Sequence, residues 1–131
     1  MVEFAIILPL LLTMLLGVID FGLFFSQNIG IQAAAREGAR QGITQGDVIA
    51  SITSAKGNLD STKLQSKFVV DTTGGAPGKL VVCVRYPQSS ASGFFAWMLN
   101  GYSETKYVMK MEGTATVTSG AKNWTGGTCA M

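Results

Sequence analysis

Glu3 and Asp20 are the only ionisable side chains before Arg36, and the chain around them is apolar: residues 4–19 carry no charge, and the apolar run resumes after Asp20 as far as Phe25. A carboxylate placed centrally in hydrocarbon costs about 3 kcal/mol. Each acid therefore needs water at an interface or a cationic partner. The chemistry open to Glu3 is ion pairing. In a parallel stack of such helices its nearest cation is the α-amino group at Met1 of a neighbour, and pairing there would favour one axial register. Asp20 lies roughly 25 Å further along a helix, out of reach of Glu3 in its own chain. Either it sits at the opposite interface or it has a buried partner of its own.

Other chemistry is largely excluded. The chain has no histidine, which removes Ser-His-Asp and Cys-His catalysis and the common histidine-based metal sites. Glu37, Asp47, Asp60, Asp71, Glu104 and Glu112 are scattered among Lys, Gly and Ser, so no paired-carboxylate site is expected. The segment Thr73-Gly74-Gly75-Ala76-Pro77-Gly78 lacks the Lys-Ser/Thr of a phosphate-binding loop. Asn123-Trp124-Thr125 fits the N-glycosylation pattern, a short match that most often arises by chance. Ten basic against eight acidic side chains leave a net charge of +2, too small to draw the chain to nucleic acid. No enzyme and no cofactor are expected. Cys83 and Cys129 have neither redox-motif spacing nor company for zinc. A disulfide between them is the simplest reading, with two buried thiols as the alternative. It would contribute about 4 kcal/mol in the chain-entropy model and needs an oxidising compartment.

These residues must be positioned by a long helix. The run over residues 1–25 is long enough to cross a bilayer core of about 30 Å. It lacks the basic front and small-residue cleavage site of a signal peptide. Basic residues normally mark the cytoplasmic flank, yet the nearest, Arg36 and Arg40, follow the span. Either the bulk of the chain is inside, or a basic leader preceded Met1; the disulfide favours the leader. Residues 33–40 are rich in helix formers, so one helix is expected over 1–42, apolar first and amphipathic afterward. Pro9 removes one backbone hydrogen bond and frees the Ala5 carbonyl, so a loosened turn is expected there. Gly30, Ala34, Gly38 and Gly42 recur every fourth residue and form a stripe that admits close approach of another backbone. That stripe seats either the chain's own domain or a neighbouring subunit.

Residues 43–131 are expected to form one small α+β domain. Asp47 caps a short second helix over residues 48–56, stopped by Gly57-Asn58. Strands over 67–71 and 79–86 form a hairpin, and a third strand runs over 106–118 with Tyr107, Met109 and Met111 on one face. Three antiparallel strands then cover the amphipathic half of the long helix. The aromatic segment Phe94-Phe95-Ala96-Trp97-Met98-Leu99 is read as a buried short helix, with an exposed contact patch as the alternative. Cys83 shares a strand face with Val81 and Arg85, so a bond to Cys129 would fold the glycine-rich tail, with Trp124, over that face.

Three motifs together carry a family resemblance: Met1-Val2-Glu3-Phe4-Ala5-Ile6-Ile7-Leu8-Pro9-Leu10-Leu11-Leu12, then Gly17-Val18-Ile19-Asp20-Phe21-Gly22, then Ala34-Ala35-Arg36-Glu37-Gly38-Ala39-Arg40. Residues 1–42 resemble the TadE/TadG-like pilins of tight-adherence (type IVc) pilus systems, and the likeness continues more loosely to Arg85-Tyr86-Pro87. The resemblance implies a basic leader removed by a prepilin peptidase after a glycine, an assembly platform as partner, and an acid near the new N-terminus. Glu3 matches that acid by its Val-Glu-Phe context but stands two places earlier than is usual. Met1, Glu3, Phe4, Pro9 and Asp20 are then the candidate assembly residues. The expected function is a structural pilin, main or minor, polymerising with copies of itself into an adhesive surface filament and held in the cytoplasmic membrane beforehand. The alternative is a single-pass membrane-anchored extracytoplasmic binding domain that recognises its partner through the segment over 94–99.

Overall fold

The computed structural model describes residues 2–44, 46–72, 78–111, 117–127 and 129. Met1 lies outside them, as do most of the expected hairpin loop and residues 112–116 of the expected third strand. Helix α1, Val2–Ile43, runs unbroken through Pro9, one residue beyond the expected end at Gly42. Asp47 caps α2, Val48–Ser54, its side chain accepting the N–H groups of Ile49 and Ala50 at 3.0 Å each. Two donors left over at the start of a short helix are thereby satisfied. Gly57 then turns the chain with a φ of 62°, a left-handed conformation that carries no side-chain penalty in glycine.

The sheet contains β1, Gln65–Asp71, β2, Lys79–Gln88, β3, Gly101–Lys110, and β4, Gly120–Lys122. Its order is β3-β2-β1-β4, and each pairing is antiparallel. Two corrections to the sequence reading follow. A fourth strand is present where three were expected: β4 pairs Gly120 opposite Phe68 and Lys122 opposite Ser66. Gly120 is required there, because a Cβ would stand 2.9 Å from the Phe68 ring. Strand β3 also begins at Gly101, earlier than expected, because its partner β2 is ten residues long and every one is matched, from Gln88 with Gly101 to Lys79 with Lys110. Alternation inside β3 is as expected. Tyr107 and Met109 turn toward the core, while Lys106 and Lys110 are exposed.

Strand β2 is buried on both faces. Leu80, Val82, Val84 and Tyr86 join Ile31, Ala34, Ala35 and Ala39 of α1, Val48 and Ile52 of α2, and Phe68 in the main core. Val81 and Cys83 point the other way, where Cys129 and Trp124 cover them. Cys83 and Cys129 are joined in a disulfide that closes a separation of 46 residues, with Cα atoms 6.2 Å apart. The tail is thus laid over the outer face, as the strand parity of Cys83 requires. The fold is α+β: a long N-terminal helix, a small antiparallel sheet and a short second helix.

The segment between β2 and β3 departs from its sequence reading. A short helix α3, Ala96–Leu99, is formed and Leu99 is buried, but Phe94, Trp97 and Met98 are exposed. The core is already closed by β2, α1 and α2; of this segment Leu99 is buried and Phe95 is half-buried against Phe21.

Candidate assembly site

The buried residues of α1 run in one stripe: Gly17, Asp20, Ile31, Ala34, Ala35, Gly38, Ala39 and Gly42. Spacings of three and four residues keep this stripe on one side of a helix. Its members are small where the domain comes closest. A Cβ on Gly30 would meet the Lys56 carbonyl oxygen at 3.0 Å, and one on Gly38 would meet Ile52 Cγ1 at 2.5 Å. At Gly42 it would overlap Leu80 Cδ2. Gly30, Ala34, Gly38 and Gly42 therefore line the approach of the chain's own domain.

Asp20 belongs to the same stripe and is 2% exposed. The loop after β2 closes around its carboxylate. Ser90 Oγ and Ser92 Oγ each donate to Oδ2 at 2.6 Å, while the N–H groups of Ala91 and Ser92 donate to Oδ1 at 3.1 and 3.0 Å. Both hydroxyls then accept from the backbone, Ser90 from Gly93 N–H at 3.0 Å and Ser92 from Phe94 N–H at 3.2 Å. All four donors reach one anion, which meets the rule that a buried charge must be fully hydrogen-bonded. Beside this cap the Phe95 ring lies 3.4 Å from the Cβ position of Gly17 and 6.0 Å, centroid to centroid, from Phe21. Asn28 makes a second tie, accepting from the Ser103 hydroxyl of β3.

Sequence reading located Asp20 but missed Ser90, Ser92, Gly17 and Phe95. A lone acid in an apolar helix and an uncharged Ser-Ala-Ser-Gly turn far along the chain were the available signals; only the tertiary fold brings them together. Higher on α1, the Arg36 guanidinium lies 5.8 Å from the Tyr107 ring centroid. Arg40 pairs with Glu37 at 3.0 Å on the exposed side, a surface ion pair of small energetic consequence.

The other face of α1 has no packing partner among the described residues. Phe4, Ile6, Ile7, Leu10, Leu11, Met14 and Leu15 are exposed, and so, further along, are Val18, Phe25 and Ile29. Glu3 is exposed at the start of this surface, and Pro9 lies within it. α1 is long and apolar enough to cross a membrane. Residues 1–40 match the model of the TadE-like protein family. The likeness is confined to the N-terminal helix. No curated protein and no solved structure matches the chain. The TadE-like match ends inside the amphipathic half of α1. What the TadE-like helix presents is therefore a bare apolar rod with an acid at its tip, carried by a domain that seals only its far half.

Proposed function

We propose that this chain is a structural pilin subunit that polymerises through the apolar half of α1 into a Tad-type surface filament serving adhesion. The observation that carries the reading is the bare surface over residues 4–15 of a TadE-like helix whose far half is occupied by its own sheet. Such a helix is satisfied equally by lipid or by copies of itself. Transfer from membrane to filament exchanges one apolar environment for another, with little loss of hydrophobic stabilisation. Glu3 then acts as the register device, paired with the α-amino group at Met1 of a neighbouring subunit. Phe4 and Pro9 belong to the same packed surface. The partners are further copies of the chain, a prepilin peptidase and an assembly platform. The sheet domain faces outward and outside the cytoplasm, where an oxidising compartment permits Cys83–Cys129.

Glu3→Ala tests the role of the acid. The variant is expected to reach the membrane at the normal level and to leave no surface fibres in sheared material viewed by electron microscopy. Normal fibres from Glu3→Ala would sink the register role. Sequencing the N-terminus of the main band in wild-type fibres tests subunit identity, and fibres without this chain would favour a membrane-anchored binding domain using the exposed Trp97 face.

A further inference from the structure

We infer that the segment over residues 93–99 is an interfacial membrane element, which seats Phe94, Trp97 and Met98 in the headgroup boundary of the bilayer and is fastened to α1 by Asp20. Three independent observations point to lipid as the occupant. The first is depth. Glu3 and Asp20 are separated by roughly 25 Å of helix, close to the hydrocarbon thickness of about 30 Å, so the loop that caps Asp20 lies at the far boundary when Glu3 lies at the near one. The second is composition: residues 86–103 contain no Asp, Glu, Lys or Arg, whereas charged residues recur on either side of them, over residues 47–85 and 104–112.

The third is exposure. Trp97 is 82% exposed and Phe94 56% exposed, although the domain has a closed core beside them. Phe94 adjoins the apolar surface of α1. Phe95 joins the two, 6.0 Å from Phe21 on the helix and 5.2 Å from Phe94. Phe21 and Phe25 are themselves exposed on α1, one turn apart on the same side of the helix, so helix and segment together form a partial aromatic collar on that side. Trp and other amphipathic rings are enriched at this depth of a bilayer. The Asp20 cap explains how the element is held there. Its four donors would otherwise need water, and the carboxylate gathers them against the helix where water is scarce. The collar fixes how deep the helix sits, and so the height at which Glu3 is offered to a neighbour.

The inference rests on membrane residence of α1 and not on polymerisation, so a chain that inserts without making fibres leaves it intact. The test uses the full chain in phosphatidylcholine vesicles brominated either near the headgroup or near the methyl end of the acyl chains. Trp97 and Trp124 are the two tryptophans, so Trp124→Phe leaves Trp97 as the sole emitter and isolates the signal of interest, and Trp97→Phe gives the reciprocal measurement. Flotation with the vesicles reports insertion separately. Expected are flotation of both variants, quenching of Trp97 by about half with the shallow bromine and less with the deep one, and no quenching of Trp124. A floated chain with unquenched Trp97 overturns the inference alone. Trp97 emission that shifts to the blue without quenching, and more so at high protein-to-lipid ratio, overturns it in favour of a second copy as the occupant. Failure to float overturns the membrane residence on which this inference and the proposed function both depend.

Discussion

Asp20 shows how a residue that is costly in isolation becomes useful through its surroundings. In Asp20→Ala the hydroxyls of Ser90 and Ser92 and the N–H groups of Ala91 and Ser92 lose their shared acceptor. The loop should then detach while the sheet remains folded. Hydrogen exchange at the amides of Ala91 and Ser92 is expected to quicken by at least about tenfold, with exchange in β1 and β2 unchanged. Asp20→Asn should fall between, because an amide keeps one acceptor oxygen for the backbone and offers its NH2 to hydroxyls that need an acceptor. Gly38 makes the opposite demand, for absence of a side chain. Ile52 is fully buried and cannot move aside, so Gly38→Ala should destabilise the domain by about 1–3 kcal/mol, read by urea unfolding in detergent. Asp60 accepts the Thr62 N–H at 2.9 Å and the Thr62 hydroxyl at 2.8 Å, and these bonds hold its pKa below the ordinary value of 3.8. A depressed folded pKa stabilises the fold above the unfolded value and is lost as pH falls through the folded one. An NMR titration of Asp60 should therefore place its midpoint below the usual carboxylate range.

Among the elements, β2 bears the greatest demand, since its two faces are covered by different parts of the chain. The inner face is closed by α1 and α2, which belong to the N-terminal half. The outer face depends on a tail that is short, rich in glycine and attached through Cys129, with Trp124 Nε1 donating to the Gly127 carbonyl at 2.8 Å. Cys83→Ser paired with Cys129→Ser should lower stability by about 2–4 kcal/mol in urea unfolding, the range expected when a loop of this length is no longer closed. Protease cleavage should concentrate in the tail of that variant, and β4 should lose protection before β2 or β3. Strand β3 has a different dependence. It is joined to β2 along its full length and should remain protected when the tail is free.

For the molecule as a whole, α1 divides into a part that carries the main core and an apolar part tied to the domain where Gly17, Asp20 and Phe21 meet the loop after β2. A chain beginning at Ser26 keeps Ile31, Ala34, Ala35, Gly38, Ala39 and Gly42 and therefore the main core. It should retain its sheet signature in circular dichroism and elute as a monomer without detergent, whereas the full chain requires detergent or lipid. The truncation also removes Asp20, so the loop over residues 89–95 should be the first protease site in the shortened chain. Loss of the sheet would show that the apolar half contributes more to folding than its exposure implies.

The α+β class, the extent of α1, the Asp47 cap, the hairpin and the disulfide were all legible because each depends on local pattern: a helical run without interruption, a capping side chain, alternation along a strand, a pair of cysteines with one possible bond. The resemblance of residues 1–42 to TadE/TadG-like pilins was legible for the same reason, since its motifs lie on one continuous helix. Strand β4, the early start of β3 and the exposure of Trp97 were not legible, because each is set by what another element leaves unpaired or uncovered. A three-residue strand has too little pattern of its own, and a cluster of aromatic side chains looks alike whether it fills a core or faces lipid. The sequence by itself placed a lone carboxylate in an apolar helix and required that it find donors; only the tertiary structure decided that those donors come from Ser90, Ala91 and Ser92, because hydrogen bonds across some seventy residues form only after the sheet has carried that loop back to the helix.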